Sequence, residues 1–225
     1  MKKRLPTGIQ SFSKLRRKEC LYVDKTEHIY NMVTTGGGVY FLSRPRRFGK
    51  SVLVSTLDAL FSGRKELFEG LFIYDKWDWT QQYPVIRLDF SGLTVKTPVE
   101  LEESLSFFVK STANKYNISL SGAHYKLQFG ELIDKLHTST GRQVVVLVDE
   151  YDNPIIDHLS NKETLEANKD ILHNFYKVLK ASDDHIEFIF LTGVSKFSGL
   201  SVFSALNNPE DITLNEEFAA ICGYT

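Results

Sequence analysis

The chain has 225 residues, enough for one sizeable core and a small appendage. It is 42% hydrophobic and 24% charged with a formal net charge of −1, which reads as soluble and globular and excludes a global basic field aimed at nucleic acid. No apolar run reaches the roughly 18 residues of a membrane span, and no apolar stretch follows the basic N-terminus as a signal peptide would require, so the expected place is the cytoplasm, off the membrane.

Residues 1–18 carry Lys2, Lys3, Arg4, Lys14, Arg16, Arg17 and Lys18 against no acid. This is a solvated fringe or, alternatively, a contact for nucleic acid or a partner. Residues 9–18 read as one short basic helix, and Leu21 to Thr26 as a brief extended piece. Cys20 and Cys222 lie far apart with no metal spacing, which fits a reducing compartment. Ile29, Met32 and Val33 have helical spacing, and Gly36-Gly37-Gly38 ends that helix.

Val39 to Leu42 is the first clear strand, apolar throughout as a strand covered on both faces should be. A polar loop follows. Leu53, Leu57 and Leu60, with Val54 and Phe61, then mark a buried helix face. Phe68 to Trp79 reads as an aromatic linker packed on the core. Pro84 to Phe90 is a second strand with Ile86, Leu88 and Phe90 on one face. Thr97-Pro98-Val99-Glu100 is a capping box with proline at the first helical position, opening a helix to about Tyr116. Phe129, Leu132, Ile133 and Leu136 give another helix.

Gln143 to Val148 is the most β-branched run and reads as a central parallel strand. Pro154 opens a short helical turn, and Leu165 to Leu179 a longer helix. Ile186 to Leu191 is a strand ending in Thr192-Gly193-Val194-Ser195-Lys196. Asp211 to Leu214 reads as a last short strand, and Glu216 to Cys222 as the start of a helix. Strands and helices alternate, which predicts an α/β three-layer sandwich: a mostly parallel sheet of about five strands with helices on both faces. Ligands of such sheets sit beyond the carboxyl ends of the strands.

Ser43 to Ser51 joins strand to helix and ends in Gly49-Lys50-Ser51, the order of a phosphate-binding P-loop, except that Arg44 holds the first glycine slot. Triphosphate binding calls for inward N–H groups, a mobile cation and a helix N-terminus. Arg46, Arg47, Phe48, Gly49, Lys50, Ser51 and Val52 are the candidates for it. Lys50 would bridge the β and γ phosphates and Ser51 would ligate Mg²⁺. The loop start is expected to be reshaped, with only residues 46–51 cradling phosphate.

Val144 to Val148 runs into Asp149-Glu150, the Walker B pattern. An acid at the tip of a central strand neighbouring the P-loop strand can hold Mg²⁺ or its waters, which assigns Asp149 as the metal ligand beside Ser51. Glu150 can deprotonate the attacking water. Thr192 sits where a sensor would, on the strand between the two Walker strands; a strand-end cap is the competing reading. Tyr22 and Asp24 lie before the first strand, where adenine often packs. An edge strand is the alternative there.

IQSFSKLRRKECLYVDKT, YFLSRPRRFGKSVLVSTL, VVLVDEYDNPI, FLTGVSKFS and ICGYT resemble the AAA-ATPase-like family of bacterial P-loop proteins, related to AAA+ and STAND proteins. The resemblance runs from about Pro6 to Thr225. It implies ATP and Mg²⁺ as cofactors and makes Arg44 a family trait, since members carry RPRRFGKS. Longer members continue into a helical region and often end in a PD-(D/E)xK nuclease-like domain, which this sequence does not contain. Nucleic acid as a partner follows only by that analogy.

The expected organisation is one P-loop ATPase-like domain over 1–225. It comprises a basic and adenine-side segment 1–38, a core 39–215, and the start of a helical lid over 216–225. The expected function is Mg²⁺-dependent ATP hydrolysis as a motor or switch. A nucleotide-binding module with little or no hydrolysis is the alternative, and a P-loop phosphotransferase or a metal nuclease using Asp149, Glu150 and Asp152 is more distant. A protein partner or self-association is open, and Arg87 and Arg142 have no motif to make them arginine fingers.

Overall fold

The computed structural model describes residues 4–35, 38–196 and 203–223. Lys2, Lys3, Gly36, Gly37, the end of the FLTGVSKFS stretch and the last two residues of ICGYT lie outside them. Five strands form one sheet: β1 (Val39–Ser43), β2 (Val85–Asp89), β3 (Val144–Asp149), β4 (Ile186–Gly193) and β5 (Glu210–Asp211). Their order is β2-β3-β4-β1-β5 and every pairing is parallel. Parallel neighbours need crossovers, and helices supply them. The helices are α1 (Phe12–Arg17), α2 (Thr26–Thr35), α3 (Lys50–Phe61), α4 (Pro98–Lys115), α5 (Tyr125–Thr140), α6 (Asn153–Ile156) and α7 (Lys162–Ala181). This is the three-layer arrangement of a P-loop NTPase-like fold.

Period-two alternation sends strand side chains into two cores. Ile86, Leu88, Val146, Val148 and Ile189 face α4, α5 and α7. Tyr40, Leu42, Val85, Val145, Leu147 and Phe190 face α1, α2 and α3. The aromatic linker folds as two 3-10 turns, Lys65–Phe68 and Phe72–Asp75, whose Phe68 and Ile73 complete the second core.

Local chemistry sets the helix ends. Thr97 caps α4 by accepting from the Glu100 amide, while the Glu100 carboxylate turns back to the amide of Lys96. That is a capping box displaced by one residue. Asn161 caps α7 in the same way through the Thr164 amide. β2 is an edge strand. The Val145 amide binds Pro84 on its inner side, and the Tyr116 hydroxyl takes up both the amide and the carbonyl of Val85 on its outer side.

Four readings need correction. β4, not β3, neighbours β1, so Asp149 lies two strands from the loop-bearing strand. The last strand is only Glu210–Asp211, because the Thr213 hydroxyl and carbonyl turn back to Ser43 and Arg44 instead of extending the ladder. Glu216–Phe218 is a single 3-10 turn rather than the start of an α-helix; Phe218, Ile221 and Cys222 anchor that segment in the second core. Leu21 to Lys25 carries no regular secondary structure and belongs to no strand of the sheet.

Candidate functional site at the carboxyl rim of the sheet

The loop from Ser43 to Lys50 is held at its start and open at its tip. Arg44 donates its amide to Gly193 O at 3.2 Å, and its guanidinium binds Ser43 O and Thr213 O. It ties the ends of β1, β4 and β5 together. Arg44 does not adopt positive φ. That conformation falls on Arg47 (φ 66°) and Gly49 (φ 90°), and residues 45–49 are exposed. A residue with a Cβ is strained at the Gly49 angle, which is why the loop needs glycine there. The first helical hydrogen bond of α3 runs from Leu53 N–H to Gly49 O, so the Lys50, Ser51 and Val52 amides have no intrahelical acceptor. Lys50 is 4% exposed, and its ammonium donates to Arg44 O at 2.9 Å and Pro45 O at 3.1 Å.

Three strand ends form a row on the α3 side of the sheet. Alternation turns Asp89, Asp149 and Thr192 to that face. The Asp89–Asp149 register and the Leu42–Thr192 register set them level, Thr192 lying one step beyond the Val148–Leu191 pair. Asp149 and Thr192 are fully buried. Among the described residues, neither Asp149 oxygen nor Thr192 Oγ1 closes a hydrogen bond of ordinary geometry. Burial pushes the Asp149 carboxyl above the usual carboxylate range; the Ser51 hydroxyl beside it opposes the rise without satisfying it, the Asp89 and Glu150 charges add to it, and Arg87 opposes it. A buried charge so poorly compensated is costly. The rim thus sets anion donors, the loop-end amides and the Lys50 ammonium, next to acceptors suited to a hard cation. No group of three metal-ligating side chains occurs among the described residues. One carboxylate with a hydroxyl is the donor set of a cation that takes its other ligands from phosphate and water.

Glu150, next along, holds φ 54°, a left-handed angle that costs a non-glycine residue of order 1 kcal/mol. Tyr151 N–H reaches Thr192 O and Asn153 N–H reaches Glu150 O, so the turn is pinned on both sides. Asp152 is fully buried and accepts the Val194 and Ser195 amides at 2.9 and 2.8 Å. Gly193 admits it: a Cβ there would stand 2.6 Å from Asp152 Oδ1. Asp152 is therefore a strut between the ends of β3 and β4. Asp152→Ala is expected to lower the urea unfolding midpoint, with a net loss of roughly 1–3 kcal/mol of stability, because two amides lose a charged acceptor while the cost of burying that charge is relieved; Asp152→Asn should recover part of it.

Tyr22 and Asp24 are engaged within the fold. Tyr22 packs edge-on to Phe12 with its phenol buried near Thr56, and burial drives its pKa well up. Asp24 accepts from the Thr26 amide and hydroxyl and from the Phe72 amide.

The chain matches the family described as Predicted AAA-ATPase over residues 6–203. It belongs to the AAA-ATPase-like family. It is also 44% identical over its full 225 residues to an uncharacterized protein in the vnfD 5′ region of Azotobacter chroococcum mcd 1, of which it spans 43%. No solved structure matches it. No helix among the described residues is long and apolar enough to cross a membrane.

In this AAA-ATPase-like chain, Arg46, Arg47, Phe48, Gly49, Lys50, Ser51 and Val52 lie together at the loop and helix start, and Asp149, Glu150 and Thr192 at the rim. Sequence reasoning missed Cys222 and Gly223. Buried Cys222 sits within electrostatic reach of Arg44, Lys50 and Asp149, and burial pushes its thiol up to about 12. A Cβ on Gly223 would come within 3.1 Å of the Phe48 ring. Cys222 and Gly223 lie in the ICGYT stretch that carried the family resemblance but was given no part in the site. The Asp152 strut did carry a signal, an acid one step beyond a turn at a strand end.

Asp149→Asn is expected to raise the stability of the ligand-free protein by about 1–2 kcal/mol at neutral pH, since it removes an uncompensated buried charge. Because the folded-state pKa is raised, the cost is fully present above that pKa and vanishes as pH falls toward the unfolded value of about 3.9. The gain over the parent should shrink along the same limb in pH-dependent thermal melts.

Proposed function

We propose that the rim is a Mg²⁺–ATP site and that the chain hydrolyses ATP as a motor or switch in the cytoplasm. The observation that carries this reading is the buried, unpartnered Asp149 carboxylate set level with Thr192 on the face of Ser51 and the open N-terminus of α3. In this reading Ser43–Ser51 is a Walker A loop whose first glycine is replaced, and β3 with Asp149-Glu150 is a Walker B strand. The amides of residues 46–52 and the Lys50 ammonium take the phosphates. Ser51 and Asp149 would hold the cation, directly or through its waters, and Mg²⁺ there would neutralise charge on the phosphates. Glu150 accepts a proton from the attacking water, and Thr192 orients that water or the terminal phosphate through its free hydroxyl. The base is placed beside Tyr22, whose phenol lies within electrostatic reach of Cys222, with Asp24 fixing the start of α2 through the Thr26 amide.

The test is titration of the protein with ATP, with and without Mg²⁺, beside phosphate release over time. Mg²⁺-strengthened binding with steady release supports the reading. Tight binding without release replaces the motor with an inert nucleotide module, a scaffold or regulator. Absence of binding removes the site altogether.

A further inference from the structure

Asp89 ends β2 as Asp149 ends β3, and the two are register partners on the same face of the sheet. The β2 end is fastened to β3: Phe90 N–H donates to Asp149 O at 3.0 Å, and Asn153 Nδ2 donates to Phe90 O at 2.9 Å. Asp89 Oδ1 accepts the Ser91 amide at 3.0 Å. Its other oxygen faces Arg87 Nη2 at 3.4 Å, a long pair with both side chains partly exposed. Such pairs hold their partners weakly, so that oxygen is available to another donor. A cavity of about 640 Å³ also opens on the α4 side of the β2 end, lined by Asp89, Ser91, Thr94, Glu100 and Ser104. Asp149, its neighbour in the row, is the buried carboxylate with both oxygens unpartnered.

We propose that Asp89 is a positioning residue of the cation site, accepting hydrogen bonds from water bound to the divalent cation that Asp149 faces. The proposal rests on the Mg²⁺–ATP reading. Asp89 acts through water because its side chain is partly exposed at the end of the edge strand, whereas Asp149 is fully buried. Its exposure allows that water in, and its register with Asp149 fixes the direction of its charge. Outer acceptors of this kind set metal affinity by about 10–100-fold.

The experiment measures Mn²⁺ affinity, by electron paramagnetic resonance, of the full chain saturated with a non-hydrolysable ATP analogue. Asp89→Asn keeps an acceptor for the Ser91 amide, so the turn and the melting temperature should hold. The variant is expected to bind Mn²⁺ about tenfold more weakly, with analogue binding in EDTA unchanged. Equal Mn²⁺ affinity in variant and parent overturns the role of Asp89 alone. Weakened analogue binding in EDTA also overturns it, since Asp89 would then act on the nucleotide and not the cation. A parent that takes up no Mn²⁺ with the analogue overturns the underlying site.

Discussion

Lys50→Ala is expected to abolish the nucleotide-dependent rise in melting temperature while leaving the ligand-free protein almost unchanged. In the free protein the Lys50 ammonium is buried against two loop carbonyls, Arg44 O and Pro45 O. Removing it orphans those carbonyls but also removes a buried charge, and the two effects oppose each other. The net change should be within about 1 kcal/mol, or roughly 2–4 °C for a chain of this size. Polyphosphate reverses the balance. Each charge-assisted hydrogen bond from the ammonium contributes about 1.5–3 kcal/mol. Loss of one or two corresponds to a fall in affinity on the order of 100-fold, readable by calorimetry. Lys50→Arg should not restore it, because a planar guanidinium does not fit the place of a compact ammonium. Unchanged affinity in the alanine variant would dismiss the loop as the phosphate site.

Glu150→Gln should separate binding from turnover. Glutamine retains the shape and the hydrogen bonds of the pinned turn but cannot accept the proton. Phosphate release is expected to fall by about 10²–10⁴-fold with ATP affinity held. Glu150→Gly adds a second readout. Glycine relaxes the φ 54° backbone and should stabilise the fold by about 1 kcal/mol while losing turnover. A glutamine variant that hydrolyses like the parent would move the base elsewhere, with Asp89 first in line because it stands level with Asp149.

Much of this fold was written locally. Apolar runs such as VVVLV sit in the fully buried β3, and the period-four stripe after Lys50 lies on α3 as spacing required. The loop and the DE pair were legible because each follows its strand directly. Long-range partners were not. Arg44 is fixed by Thr213, 169 residues away, so its part in bracing three strand ends could not be read from the loop. Strand order was equally hidden: β4 enters between β1 and β3 although it comes last of the three in the chain. The fold partners of Tyr22 and Asp24 were hidden in the same way, since Phe12, Thr56 and the Phe72 amide come from three other segments. Asp89 was legible in principle, since it ends a strand as Asp149 does.

The outer flank of β2 bears on how this protein behaves at high concentration. A bare parallel edge is a template on which another chain can add a strand. Here Pro84 enters the edge without an amide, the Tyr116 phenol occupies both polar groups of Val85, and Arg87 places a charge along the same strand. These are devices that resist templated growth of a sheet. Copies of this chain that meet on the β2 side should therefore do so through helices or loops, and that edge resists amyloid-like extension.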